Sequence, residues 1–248
     1  MIKLSGFHLS QLPDRRELTT LLSQPFYQSW RERHRSIRDE RASRISLAGI
    51  LLLQLQGHSG KLIYDTNGRP SLDGGTIDFN LSHNYQSVFC AIETTDPDEC
   101  TVLPPDAARP YPSREAPNGT QKMLFPGQPR VGIDTEDLQR LSTVRVCPMA
   151  DRWFTSAEYD FFLTDPTDVT FLRIWTRKEA LIKWTGEGLR SLRSADTVTA
   201  PSVYGIRFYE YWIDRTLLTL CCRQEATPPP SVYMYSNSEL TAYKMLMK

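Results

Sequence analysis

Val131-Gly132-Ile133-Asp134-Thr135-Glu136 is the stretch on which the reading of this chain turns. It reads as a short strand, so Asp134 and Glu136, two residues apart, project their carboxylates from one face. On the C-terminal side, Trp175-Thr176-Arg177-Lys178-Glu179-Ala180-Leu181-Ile182-Lys183 reads as a helix in which Glu179 and Lys183, four apart, share a face. If that helix packs beside that strand, three carboxylates and an ammonium meet. Such a set suits a hard, oxygen-seeking cation and the handling of phosphate. The plainer alternatives are a solvated strand end for Asp134 and Glu136, and a helix ion pair between Glu179 and Lys183 worth about 0.2–0.5 kcal/mol.

Further out, Thr155 with Glu158 three residues on is a capping-box signature that opens a helix carrying Phe161 and Phe162. Phe171 to Trp184 is predicted to be helical and to end at Gly186-Glu187-Gly188. Val203 to Trp212 and Thr216 to Arg223 read as a hairpin around Ile213-Asp214-Arg215. On the N-terminal side, Asp14 to Leu22 and Ser43 to Leu55 read as helices. Asn67-Gly68 marks a turn, and Ile77 to Leu81 and Ser87 to Glu93 read as strands, the latter with Val88, Cys90 and Ile92 on one side. Between the two regions, Thr94 to Pro129 holds eight prolines and no periodicity, which predicts a loop or unstructured insert. Helices plus antiparallel strands on either side give an α+β composition.

Read together, Gly132-Ile133-Asp134-Thr135-Glu136, Phe154-Thr155-Ser156-Ala157-Glu158-Tyr159, Trp175 through Leu189 and the upstream Asn80-Leu81-Ser82-His83-Asn84 resemble the 4′-phosphopantetheinyl transferases of the Sfp type. The four blocks occur in the family's order and cover roughly half the chain, about residues 40 to 93 and 130 to 190. The resemblance implies two pseudo-symmetric α+β halves with the active site in the cleft between them: residues 1–93, the Pro-rich insert 94–129, and residues 130–248. It implies Mg²⁺ held by Asp134, Glu136 and Glu179 against the pyrophosphate of coenzyme A. Lys183 would contact the phosphate that leaves in 3′,5′-ADP, and Glu179, or a water it orients, would deprotonate the acceptor serine. Ser82 and His83 would bind the 3′-phosphate, with Arg69 and Arg44 at matching basic positions. The implied activity is Mg²⁺-dependent transfer of the 4′-phosphopantetheine arm to a serine of an acyl- or peptidyl-carrier protein. A metal-dependent phosphodiesterase and a non-catalytic binder of coenzyme A or a carrier are the rivals. Compact family members pass almost directly from the Ser-His strand to Gly-Ile-Asp, whereas here Thr94 to Pro129 intervenes.

The bulk numbers constrain the partners. Twenty-nine basic and 29 acidic residues cancel, so no global field recruits nucleic acid or membrane. The arginines at 31, 33, 35, 38, 41 and 44 are interleaved with Glu32, Asp39 and Glu40 and read mostly as the wet face of a helix. Lys178 reads as solvated, and Trp175 as core. Adjacent Cys221 and Cys222 fall on opposite faces of their strand, which argues against pairing or shared metal ligation. Free thiols, no signal-peptide pattern and no long apolar run lead to the expectation of a soluble cytoplasmic protein. A cleft built within one chain leads to the expectation of a monomer.

Overall fold

The structure is a computed structural model describing residues 1–22, 27, 30, 36–75, 77–94, 130–141, 144–229 and 231–240. The Pro-rich insert from residue 95 onward, together with Arg31, Arg33 and Arg35, lies outside the described residues. Thr94 does not begin a loop. It is the last residue of a strand.

The first sheet has the order β4-β5-β1-β9, formed by β1 (Ile2–His8), β4 (Ile77–His83), β5 (Ser87–Thr94) and β9 (Tyr233–Met234). All its pairings are antiparallel except β1 with β9. The second sheet has the order β6-β8-β7, from β6 (Val131–Asp137), β7 (Ile206–Ile213) and β8 (Thr216–Arg223), and is antiparallel throughout. A small hairpin, β2 (Leu62–Tyr64) with β3 (Pro70–Leu72), stands beside the first sheet. The fold is therefore a mixed α+β architecture with antiparallel sheets.

Alternation of side chains along β5 sets the layers. Val88, Cys90 and Ile92 face α2 (Glu40–Leu55) in one core that also holds α1 (Arg15–Leu21), while Phe89 and Ala91 face the second sheet in another. The β5 strand is thus buried on both sides, and the expected Val88-Cys90-Ile92 face is only half of what it contributes. The long helix α6 (Asp168–Thr185) covers the far face of the second sheet through Ala180, Leu181 and Trp184 against Phe208 and Cys221. The order is helix, sheet, sheet, helix. Cys221 and Cys222 enter different cores, as their alternation predicts.

Local signals explain the helix ends. The Asp39 side chain accepts the Ala42 N–H at 2.7 Å, so α2 begins three residues before the expected Ser43. The remaining helices are α3 (Leu138–Leu141), α4 (Val146–Trp153), α5 (Ser156–Thr164) and α7 (Ala200–Tyr204). Thr155 and Glu158 form the predicted capping box at α5. Gly186, at φ 76°, ends α6 in the left-handed conformation that glycine tolerates. Val203 and Tyr204, expected to begin the hairpin, instead end helix α7, because Pro201 suits a first helical turn and Gly205 closes it, and the strand starts at Ile206. From the C-terminal part, β9 and Leu240 return to the first sheet and its core. Among the described residues no helix is long and apolar enough to cross a membrane.

Candidate active site

The site forms where β4 meets β6 without backbone pairing. Every second residue from 78 to 86 reaches across. Asp78 Oδ2 accepts the Val131 N–H at 2.7 Å, and Asn80 Oδ1 accepts the Ile133 N–H at 3.0 Å. Ser82 Oγ donates to Asp134 Oδ1 at 3.1 Å. Asn84 Nδ2 donates to Thr216 Oγ1 at 3.1 Å, and Gln86 Nε2 to Asp137 Oδ2 at 3.0 Å. Period-two alternation along β4 puts Asp78, Asn80 and Ser82 on one face, and Asn84 and Gln86 continue the row from the turn before β5. Asp78 and Asn80 satisfy N–H groups of an edge strand that would otherwise lack partners, whereas Ser82, Asn84 and Gln86 donate to side-chain oxygens.

Helix α6 lies along β6 because Gly132 lets it. A Cβ at 132 would stand 2.1 Å from the Ala180 carbonyl oxygen and 2.6 Å from the Trp184 nitrogen, so only a bare backbone fits. This close approach aims Lys183 at the strand. Its Nζ donates to Asp134 Oδ1 at 2.7 Å and to Ser82 Oγ at 3.2 Å. Sequence reasoning placed Lys183, Asp134 and Ser82 in one site, and the structure brings those three together.

Glu136 and Glu179 complete the acidic side. Burial, and then the negative charge of Asp134, raise the Glu179 carboxyl to about 7, with Glu136 adding to the shift and Lys183 opposing it. Glu136 is raised as well, by burial first and by Asp134 second, while Arg140 and Lys183 oppose. Arg140, on the short helix that follows the strand, lies 3.7 Å from Glu136. Among the described residues, no three His, Cys, Asp or Glu side chains stand in metal-holding geometry. The donor chemistry nonetheless fits a hard divalent cation: crowded carboxylate oxygens repel one another, and one ammonium does not cancel them.

His83 ends β4 at the exposed rim. Crowding on its protein side, followed by the positive charge of Lys183 and then of Arg41, disfavours the imidazolium, against the pull of Asp134. Arg41 lies over the Tyr85 ring at 3.2 Å. Lysine, histidine and arginine thus line one edge of the cleft, a surface suited to an anion. Arg41 was not singled out by sequence because nothing in its run of arginines distinguishes it.

The other two basic residues expected at this phosphate have their donors engaged elsewhere. Arg44 donates to the carbonyls of Pro13, Leu9 and Leu12, at 3.0, 3.2 and 2.6 Å. Arg69 is 10% exposed and pairs with Asp78 at 2.5 Å. Lys178 is a correction. It is not solvated but fully buried, 2.6 Å from an equally buried Glu158. Its periodicity gave no warning, because in α6 nearly every face is covered. Trp175 stacks on Phe171 at 5.9 Å in an aromatic cluster, as its expected packing role requires.

Residues 130–236 match the family model described as 4′-phosphopantetheinyl transferase superfamily. The chain is 27% identical over 168 residues to the 4′-phosphopantetheinyl transferase HetI of Nostoc sp., covering 62% of this chain and 56% of that protein. It is 36% identical over 62 residues to the 4′-phosphopantetheinyl transferase psf-1 of Bacillus pumilus, which is 24% of this chain and 25% of that one. The chain thus spans about half the length of the first of these relatives. The resemblance read from the four motifs is borne out.

Proposed function

We propose, from the premise that residues 130–236 are a domain of the 4′-phosphopantetheinyl transferase superfamily, that this protein moves the 4′-phosphopantetheine arm of coenzyme A onto a serine hydroxyl of an acyl- or peptidyl-carrier protein, leaving 3′,5′-ADP. The observation that carries the reading is the Lys183 ammonium held at 2.7 Å from Asp134, beside the carboxyl of Glu179 and below His83. One short cleft then offers oxygen donors at one end and cations at the other, which matches a pyrophosphate joined to a further phosphate.

Mg²⁺ would be held by Asp134, Glu136 and Glu179, and when bound it supplies neutralising charge to the pyrophosphate. Lys183 stabilises charge on the leaving and non-bridging oxygens. Ser82 and His83 orient the 3′-phosphate end. Glu179, directly or through an oriented water, receives the proton of the incoming serine hydroxyl. Attack by an external hydroxyl needs no covalent enzyme intermediate. We further read the two sheets, each backed by one long helix, as pseudo-symmetric halves. The residues that build the cleft come from one chain, which favours a monomer. The buried free thiols Cys90, Cys221 and Cys222 favour a cytoplasmic protein.

The test is incubation with coenzyme A, Mg²⁺ and a panel of apo carrier proteins, read by intact mass. A carrier is expected to gain the arm, and its serine-to-alanine variant is not. Equal modification of the alanine carrier, or no mass gain with any apo carrier, overturns the reading. In the same assay Lys183→Ala is expected to lower kcat roughly a hundredfold, since one charge stabilising the transition state is worth about that much. A change below threefold would remove Lys183 from the chemistry.

Glu179 also couples the cleft to pH. Its folded-state pKa, about 7, lies above the ordinary carboxyl value of 4.5, so the stability it contributes is present below 4.5 and is lost as pH rises through about 7. Mg²⁺ competes with that proton. It is expected to raise Tm more at pH 8 than at pH 6, and Glu179→Gln to flatten the difference. Equal shifts at both pH values in the wild-type protein would place Mg²⁺ elsewhere.

A further inference from the structure

Arg69 follows a turn whose geometry is fixed by one carboxylate: Asp65 Oδ1 accepts the N–H groups of Asn67 and Arg69, at 2.9 and 2.8 Å. From that anchor its side chain runs inward across the seam. NH2 donates to Asp78 Oδ2 at 2.5 Å, to the Val131 carbonyl at 2.8 Å and, more weakly, to the Phe79 carbonyl at 3.5 Å, while NH1 donates to the carbonyl of Lys183. One guanidinium therefore joins β4, the first residue of β6 and the last turn of α6.

The last four carbonyls of a helix have no partner within it. In α6 they are those of residues 182 to 185, and each is met. The Ile182 carbonyl accepts the Gly186 N–H at 2.9 Å. Those of Trp184 and Thr185 accept from Arg130. The Lys183 carbonyl accepts from Arg69. Asn67 Nδ2 then donates to the Gly186 carbonyl at 2.6 Å, just beyond the helix. Cations at this end also complement the helix dipole. Lys183 is thus gripped from behind at its carbonyl while its ammonium reaches forward to Asp134 and Ser82.

We propose that Arg69 is a positioning residue that sets where the Lys183 ammonium stands, and that it is not a ligand of any substrate phosphate. Both terminal nitrogens of its guanidinium donate to protein acceptors, and Asp78 balances its charge at contact distance. A phosphate could bind only by displacing that carboxylate from the seam. This inference rests on the transferase reading for its kinetic test but not for its spectroscopic one.

Arg69→Ala alone would strand the Asp78 carboxylate, so the informative variant is Arg69→Met/Asp78→Asn. Methionine keeps the stem's bulk, and asparagine keeps an acceptor for the Val131 N–H. Arg69→Lys is the companion, because a single ammonium cannot span the same acceptors. In both, kcat is expected to fall about tenfold or more, with the ratio of KM for coenzyme A to KM for 3′-dephospho-coenzyme A unchanged within about twofold. The loss should be the same with 3′-dephospho-coenzyme A as donor. The ¹³Cε NMR signal of Lys183, assigned from Lys183→Arg, is expected to shift in both variants whether or not any carrier is modified. A tenfold weaker Kd for 3′,5′-ADP, with lost discrimination between the two donors, would make Arg69 a phosphate ligand and overturn the proposal. An unmoved Lys183 signal or an unchanged kcat would reduce it to a strut. A wild-type protein that modifies no carrier would sink the transferase reading, and the NMR signal would still decide the role of Arg69.

Discussion

Gly132→Ala is expected to cost about 4 kcal/mol or more, above the 1–3 kcal/mol typical of an overpacked core. The added methyl would meet the Ala180 carbonyl oxygen at 2.1 Å, the Trp184 nitrogen at 2.6 Å and the Trp184 Cβ at 2.9 Å. Two of these atoms belong to helix backbone, which cannot rotate away as a side-chain tip can. Either α6 lifts from β6 or the protein does not fold. A partial lift would carry Glu179 and Lys183 away from Asp134, so the folded fraction should also lose transfer activity. Chemical denaturation with a parallel rate measurement checks both. A variant within 1 kcal/mol of wild type would show that the helix does not lie this close.

Lys178→Met is expected to cost about 3–5 kcal/mol, the usual consequence of removing one partner of a buried ion pair. Glu158 is left fully buried, although it still accepts the Thr155 N–H at 2.9 Å and both the N–H and hydroxyl of Thr197 at 2.8 Å. The double variant Lys178→Met/Glu158→Gln should recover most of the loss, since a neutral pair strands no charge. If the single variant costs less than 1 kcal/mol, or the double variant recovers nothing, the pair does not hold α5 to α6.

These two residues mark what the sequence could and could not disclose. The strand at 131–136, the α6 helix, its glycine stop and the capping box at Thr155 all rest on local chemistry, and each stands close to where its residues predict. The meeting of Asp134 with Lys183 was legible because strand and helix periodicities put the right groups on facing sides, and Ser82 joined them through the resemblance of its motif. Lys178 was not, because burial of a charge depends on a carboxylate 20 residues away. Nor were the roles of Arg44 and Arg69. A basic residue near a turn looks the same in sequence whether it awaits an anion or is bonded to carbonyls of the chain. Strand β1 has no clean alternation, since its residues are buried on both sides of the first sheet. The seam was in principle readable, as polar residues at 78, 80, 82, 84 and 86, but nothing local says that amides and side chains of the second sheet will be their partners.

That seam has a use beyond holding the sheets. The amides of Val131 and Ile133 donate to side chains of β4, whereas alternation turns the amides between them toward β8. Any widening of the cleft to admit a long donor or to release product would break the first set while leaving the β6–β8 ladder whole. Under conditions where the fold stays intact, Val131 and Ile133 would then trade their hydrogens with deuterated solvent sooner than Gly132 and Asp134. Four neighbouring amides on one strand, read against each other, become a built-in gauge of how often the cleft breathes.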